Sequence, residues 1–400
     1  MNVNGFIDLP SWANGLVVLP WWGYIMVALA MTHITIAAVT IYLHRHSAHR
    51  ALDIHPAVVH FFRLWLWLTT GMSTKAWTAI HRKHHAKCET EEDPHSPQIL
   101  TLKKVLLEGS ELYRKEAANQ ETLDKYGHGT PDDWLERNVY TRTDKGGVAI
   151  MLVTDILLFG PLGLTIWAIQ MLWIPVTAAG VINGVGHYFG YRTFQVEDAS
   201  TNIVPWGILI GGEELHNNHH AYASSARLSN KWYEFDIGWL YIRVLEALNL
   251  AQVKKLAPQV KMESGKSKCD LQTLQAIITH RYDVLARFTR SVRTTCADEL
   301  RRMRMNKSGH GVDLQAMKRW LHLDAKLVPE REKVKLDEVL STSKVLTTVY
   351  SMRQELAMLW QRSTATKEQL LSQLEDWCRR AEKSDIAPLR DFSRTLRCYA

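Results

Sequence analysis

Long apolar runs crowd into the first 190 residues of the chain and then stop. One lies within Gly15 to Leu43, and Trp21 to Leu43 is long enough for the ~20 residues a helix needs to cross hydrocarbon, with Trp21, Trp22 and Tyr42 at its ends. A second run, Ala57 to Met72, is shorter and carries Arg63. A third, Gly147 to Phe189, is 43 residues long, with Asp155 its only charged residue. Two crossings need ~40 residues, so it predicts a helical hairpin breaking near Gln170–Pro175. The expected spans are about 21–43, 148–167 and 169–187. From about Lys254 the pattern is amphipathic and helical. Leu271, Leu274, Ile277 and Ile278 share one face, as do Leu370, Leu371, Leu374 and Trp377. The predicted fold is all-α: an integral membrane domain over residues 1–250 and a basic, soluble helical extension over 251–400.

Charge follows the same division. Residues 1–250 hold 19 Lys and Arg against 23 Asp and Glu, whereas residues 251–400 hold 29 against 18. In the extension the two signs are interleaved, which reads as a solvated helical surface, and no nucleic-acid partner is expected. The five cysteines are scattered, with no CxxC pair, and read as reduced thiols. No basic segment precedes the first apolar run, so it is expected to be an anchor and not a cleaved signal peptide.

The chemistry lies in the histidines. Nine of the 18 fall in four tight clusters: His44 and His49; His81, His84 and His85; His187; and His216, His219 and His220. On a helix, residues three or four apart share a face, so His81 can pair with His84 or His85. Adjacent residues point ~100° apart, so His84 and His85 suit two different metals. His216, His219 and His220 repeat that spacing, which points to a binuclear site. Asn183, four residues before His187, shares its face and could hold a metal-bound water. Imidazole suits iron, copper, zinc and nickel alike. His46 and His95 are expected to serve as hydrogen-bonding neighbours. His33 is expected to contact another helix, and His280, His310 and His322 to be surface or core residues.

Topology makes one shared site possible. The first cluster follows one crossing. If 57–72 is interfacial, re-entrant or protein-buried, the second cluster lies on the same side, and the hairpin returns the third and fourth to it. Arg45, Arg50, Arg82 and Lys83 accompany the clusters, while the first 44 residues contain no Lys or Arg. The positive-inside bias makes that face cytosolic.

The clusters, spaced HxxxxH, HxxHH, NxxxH and HxxHH in this order, resemble those of the membrane fatty acyl desaturases of the stearoyl-CoA desaturase type. The resemblance covers roughly residues 20–250 and includes Asp93-Pro94-His95 after the second cluster and Trp77 before it; the tail resembles the extension of some bacterial members. It implies two irons held by His44, His49, His81, His84, His85, His187, His216, His219 and His220. One iron takes five imidazoles, and the other takes four and a water held by Asn183. It also implies an O2-dependent desaturase that places a cis double bond in a saturated fatty acyl chain, expected to be a delta-9 acyl-CoA activity. The centre would face the cytosol from a bacterial inner membrane. An unactivated methylene offers no acid, base or leaving group, so its oxidation needs a metal–oxygen oxidant. Trp77 resembles a tunnel-lining residue, and Arg114-Lys115 resembles a basic pair that could hold phosphates. Ala79-Ile80 stand where animal members carry an Arg-Asp pair contacting coenzyme A, so that mode of recognition is not expected; an intact acyl lipid is the other substrate class. The chain carries no HPGG-type haem module, which implies electrons from a separate carrier, such as a ferredoxin with its own reductase. The basic tail, or the Arg and Lys beside the clusters, could dock an acidic carrier.

Three other readings share parts of this pattern. A lipid hydroxylase or ketolase would use a similar centre. A soluble di-iron carboxylate enzyme would use the Glu-x-x-His pairs Glu92…His95 and Glu213…His216, although Pro94 interrupts the helix such a pair requires. A histidine-bound metal transporter or receptor would place its ligands inside the spans.

Overall fold

A computed structural model describes residues 14–305, 328, 330–361 and 364–400; His310 and His322 lie outside them. The chain divides into two units. The first comprises the residues up to Arg192 together with Asp198–Ala257, and the second comprises Thr193–Glu197 and Pro258–Ala400.

Helix α1, Trp21–Ala48, begins directly after Pro20. Its last eleven residues, Ala38–Ala48, widen into a π-helix in which the His49 amide donates to the His44 carbonyl at 3.1 Å. Strand β1, Leu52–Ile54, leads into α2, Pro56–Thr70, which ends at Gly71 in a left-handed conformation. Arg63 in α2 is 4% exposed, with the guanidinium donating to Asp133 at 2.6 and 2.8 Å and to Glu136 at 2.9 Å. Helix α3, Thr74–Lys87, is capped by Ser73, whose hydroxyl accepts from the Ala76 amide. Helix α4, Leu102–Ala117, follows.

The apolar hairpin is α5, Asp144–Phe159, and α6, Pro161–Val185. It turns at Gly160 (φ 62°, ψ −147°), and not near Gln170–Pro175 as the sequence suggested. Two physical reasons account for the shift. Only glycine adopts that backbone conformation readily. Pro175, for its part, sits where the helix widens into a π-helical stretch, Pro175–Val185, which carries the chain past the missing amide. Gln170 and Asp155 are both buried and meet across the hairpin, the amide donating at 2.8 Å. Before α1, the Leu16 and Val17 amides donate to the carbonyls of Leu157 and Leu158. The start of α1 and the hairpin turn therefore share one end of the unit, and His44 and Asn183 lie toward the other.

Helix α7, Ile237–Ala247, packs on the first helix, where His33 Nε2 meets the Tyr241 hydroxyl at 2.6 Å. Strand β1 pairs antiparallel with β2, Ala251–Val253, with Leu52 opposite Val253. That pairing holds the chain in the first unit as far as Ala257, past the boundary at 250 expected from composition.

The second unit is helical over Leu271–Thr279, Arg281–Met305, Glu330–Thr342, Lys344–Gln361, Lys367–Lys383 and Ala387–Arg397. Its core gathers Leu274, Ile277, Phe288, Leu374, Trp377 and Phe392. His280 is buried there, and the Cys269 and Cys378 sulfurs stand 3.9 Å apart as free thiols. Much of its basic charge is spent locally, in pairs such as Arg302–Glu299, Lys335–Glu332 and Arg380–Asp376.

Candidate metal centre

The π-widening of α1 explains the first cluster. On an α-helix two residues five apart would point roughly 140° away from each other. The wider winding puts the His44 and His49 rings on one side, 4.9 Å apart. The second cluster uses one turn of α3. His187 lies two residues beyond α6, and the fourth cluster sits on a short helix, His216–Ala221.

All nine imidazoles come together, in two groups that His85 links, its ring near both His219 and His220. His44, His49, His81 and His219 have ligand nitrogens within 4.8 Å of one another, and His85 Nε2 joins them 2.8 Å from His219 Nε2. His84, His187 and His220 form the second group with the Cys88 thiol, and His216 Nε2 lies 3.0 Å from His187 Nε2. Further Nε2–Nε2 separations are 3.0 Å for His44–His219, 2.8 Å for His49–His81 and 3.2 Å for His84–His187. With metal–imidazole bonds of about 2.1 Å, ligand nitrogens at right angles lie roughly 3 Å apart.

Carboxylates stand behind four of the rings. His44 Nδ1 donates to Glu213 at 2.7 Å, His84 Nδ1 to Asp93 at 3.0 Å, His187 Nδ1 to Glu89 at 3.3 Å and His220 Nδ1 to Asp198 at 2.9 Å. Burial pushes the carboxyls of Asp93, Asp198 and Glu213 up, but the facing imidazoles and hydrogen bonds outweigh it and hold them below the usual carboxylate range. An ionised carboxylate only accepts, so each of these rings donates from Nδ1 and turns Nε2 inward. His84 and His187 bring their Nε2 atoms to 3.2 Å from each other, with a carboxylate behind each ring. Inward nitrogens at about 3 Å, on rings held from behind by carboxylates, form a donor set that fits a metal pair. Burial, then the neighbouring imidazoles, depress the pKa values of His49, His81, His85, His216 and His219, and hold His220 at about 4, which keeps the rings neutral and able to ligate.

Around this core, Trp77 stacks on His81 at 4.9 Å and meets His44 edge-on. Asn183 lies half-buried in the last turn of α6, one turn before His187. His46 Nδ1 bonds the Leu52 carbonyl, and His95 stacks on His84 at 4.4 Å. Arg114 and Lys115 are exposed on α4, with Arg114 paired to Glu111, and the structure does not bring them into the histidine cluster. Ala79 and Ile80 are buried. Glu213 stands behind His44 instead of among the inward nitrogens, and Glu92 pairs with Lys87, so neither Glu-x-x-His pair forms a carboxylate centre.

Two of the basic residues beside the clusters turn inward. Arg45 is 1% exposed and donates to Asp236, Ala226 and Gly211; Arg82 donates to four backbone carbonyls. Gly212 (φ +97°) leaves room for this, since a Cβ there would stand 2.7 Å from Arg45 Nη2. Cys88 could have been found from its place four residues after His84 on the same helix face. Nothing in the sequence pattern marks Glu89 or Asp198.

A family model described as "Fatty acid desaturase" matches residues 19–244. The chain belongs to the fatty acid desaturase family. This desaturase is 30% identical to an sn-1 stearoyl-lipid 9-desaturase of Anabaena variabilis, over 59% of its own length and 85% of that protein's. It is 29% identical to Delta-9 acyl-lipid desaturase 1 of Arabidopsis thaliana, over 59% and 76% of the two chains. It is also 29% identical to an acyl-CoA 5-desaturase of Anemone leveillei, over 60% and 74%. A second family model, described as "Transposase", matches residues 272–400 of the helical tail. The desaturase is an oxidoreductase and a membrane protein of lipid metabolism, with histidine clusters that fit a metal site.

Proposed function

We propose that this desaturase introduces a cis double bond at the delta-9 position of a saturated fatty acyl chain, carried as a coenzyme A thioester or in a glycerolipid. His44, His49, His81, His85 and His219 would hold one iron. His84, His187, His216 and His220 would hold the other, with Asn183 orienting a water on it. The observation that carries the reading is the pair of imidazole groups with Nε2 atoms converging at about 3 Å. When bound, the two irons supply the O2-dependent oxidation that an unactivated methylene requires. The protein's own part is to hold nine imidazoles together, four of them oriented by carboxylates, and to present the acyl chain beside them, with Trp77 packed on His44 and His81 at the edge of the cluster.

In the bilayer, α1, α5 and α6 cross while α2 stays at the interface or within the protein, leaving every cluster on the cytosolic side of a bacterial inner membrane. The Leu16–Leu157 contact at the opposite end and the buried Arg63, paired with Glu136 and with the exposed Asp133, support that arrangement. Electrons come from a separate small carrier such as a ferredoxin, with its reductase. Expression in a host lacking unsaturated fatty acids, followed by mass spectrometry of derivatised acyl chains, tests the reading. A 9,10 double bond is expected, appearing first in the thioester or the glycerolipid pool according to the substrate. Hydroxylated or keto chains, or no product from a metal-loaded protein, would overturn it.

A further inference from the structure

The two imidazole groups differ in what stands behind them. In the four-imidazole group three rings are backed by anions: His84 by Asp93, His187 by Glu89 and His220 by Asp198, while His216 Nδ1 is buried without a partner. In the five-imidazole group, among the described residues, only His44 has a carboxylate, Glu213, on Nδ1.

The backing is built in. Glu89 has a left-handed backbone (φ 61°), which a residue with a Cβ adopts only when its surroundings enforce it. In that conformation its amide donates to Asp93 Oδ2 at 2.8 Å, and its carboxylate accepts from the Ala199 amide at 2.8 Å as well as from His187. Asp198 is fixed in turn by the Ser200 amide at 2.9 Å, and Asp93 by the His95 amide at 3.1 Å. One strap thus ties the second cluster, the third cluster and the 198–200 turn together through anions.

We propose that Glu89, Asp93 and Asp198 are positioning residues that make the four-imidazole site the more electron-rich of the two, so that iron held there is harder to reduce than iron in the five-imidazole site. This rests on the reading that both groups bind iron. A carboxylate on Nδ1 fixes the ring and raises the basicity of Nε2. Three anions against one is also a net-charge difference in a site of low dielectric, where it outweighs one additional neutral imidazole.

Stepwise reduction of the 57Fe-loaded, full-length protein, followed by Mössbauer spectroscopy, tests this. Two iron populations should reduce in separate steps in the wild type. Asp198→Asn and Glu89→Gln should each narrow the separation by moving the later step earlier, with about a 10–100-fold loss of metal affinity at one site only. Asp198→Glu should restore it, and Glu213→Gln should widen it by moving the earlier step. Simultaneous reduction in the wild type, or no narrowing in Asp198→Asn while it retains two irons, would overturn the proposal. A protein that binds no iron would overturn the reading beneath it as well.

Discussion

His84 and His187, from clusters 103 residues apart in the chain, face each other Nε2 to Nε2 at 3.2 Å while the Nδ1 of each donates to a carboxylate. Two inward nitrogens at that spacing, each on a ring held from behind by a carboxylate, are placed to share one metal. His84→Ala should therefore lose iron and all desaturation while the protein stays in the membrane fraction. Iron analysis of the purified variant, beside a lipid assay, checks this; full activity would remove His84 from the ligand set.

Arg45 locks the first cluster to the loop that precedes and follows the fourth. Its guanidinium and the Asp236 carboxylate are both almost wholly buried, 2.9 Å apart. Removing one partner strands a buried charge at a cost of about 3–5 kcal/mol. Asp236→Asn and Arg45→Met should each lower the melting temperature in detergent by more than the double variant does. Additive losses in the double variant would show that the two residues act independently.

Gly160 and Pro175 exchange the roles their residue types suggest. Gly160→Ala forces a Cβ into a conformation only glycine tolerates, at about 1–3 kcal/mol. Pro175→Ala leaves the helix continuous and should be folded and active. Detergent melting curves decide, and a larger loss in Pro175→Ala would contradict the hairpin geometry.

How much of this the sequence carries depends on the kind of interaction. The i, i+3 and i, i+4 spacings within His81–His85 and His216–His220 are properties of one helix, and they show in the sequence. The alignment of His44 with His49 needs a π-helix, whose extra residue per turn leaves no mark in the pattern. The sequence puts the hairpin turn at the proline because proline ordinarily stops helices, and the wide winding after Pro175 removes that obstacle. Glu89 and Asp198 reach their histidines from 98 and 22 residues away in the chain, through a left-handed residue and a loop. Pairings of that kind exist only in three dimensions.

Asp270 caps the helix Leu271–Thr279, accepting from the Thr273 amide at 2.7 Å and hydroxyl at 2.9 Å. The Thr273 amide, then Lys266, hold its carboxyl down at about 2. Because the folded value lies below the unfolded one of about 3.9, the stabilisation is present above pH ~4 and lost as pH falls toward 2. Asp270→Ala should cost about 0.5–2 kcal/mol at pH 7. Hydrogen exchange of that helix in the full chain, corrected for intrinsic rates, should show the wild-type advantage shrinking from pH 7 to pH 3. An advantage that does not change between those pH values would contradict the cap.

X-ray absorption at the iron edge of the purified, metal-loaded protein, together with its iron content, tests the central claim most directly. Two irons per chain with a first shell dominated by imidazole nitrogen are expected. A single metal, zinc in place of iron, or a shell dominated by carboxylate oxygen would contradict it.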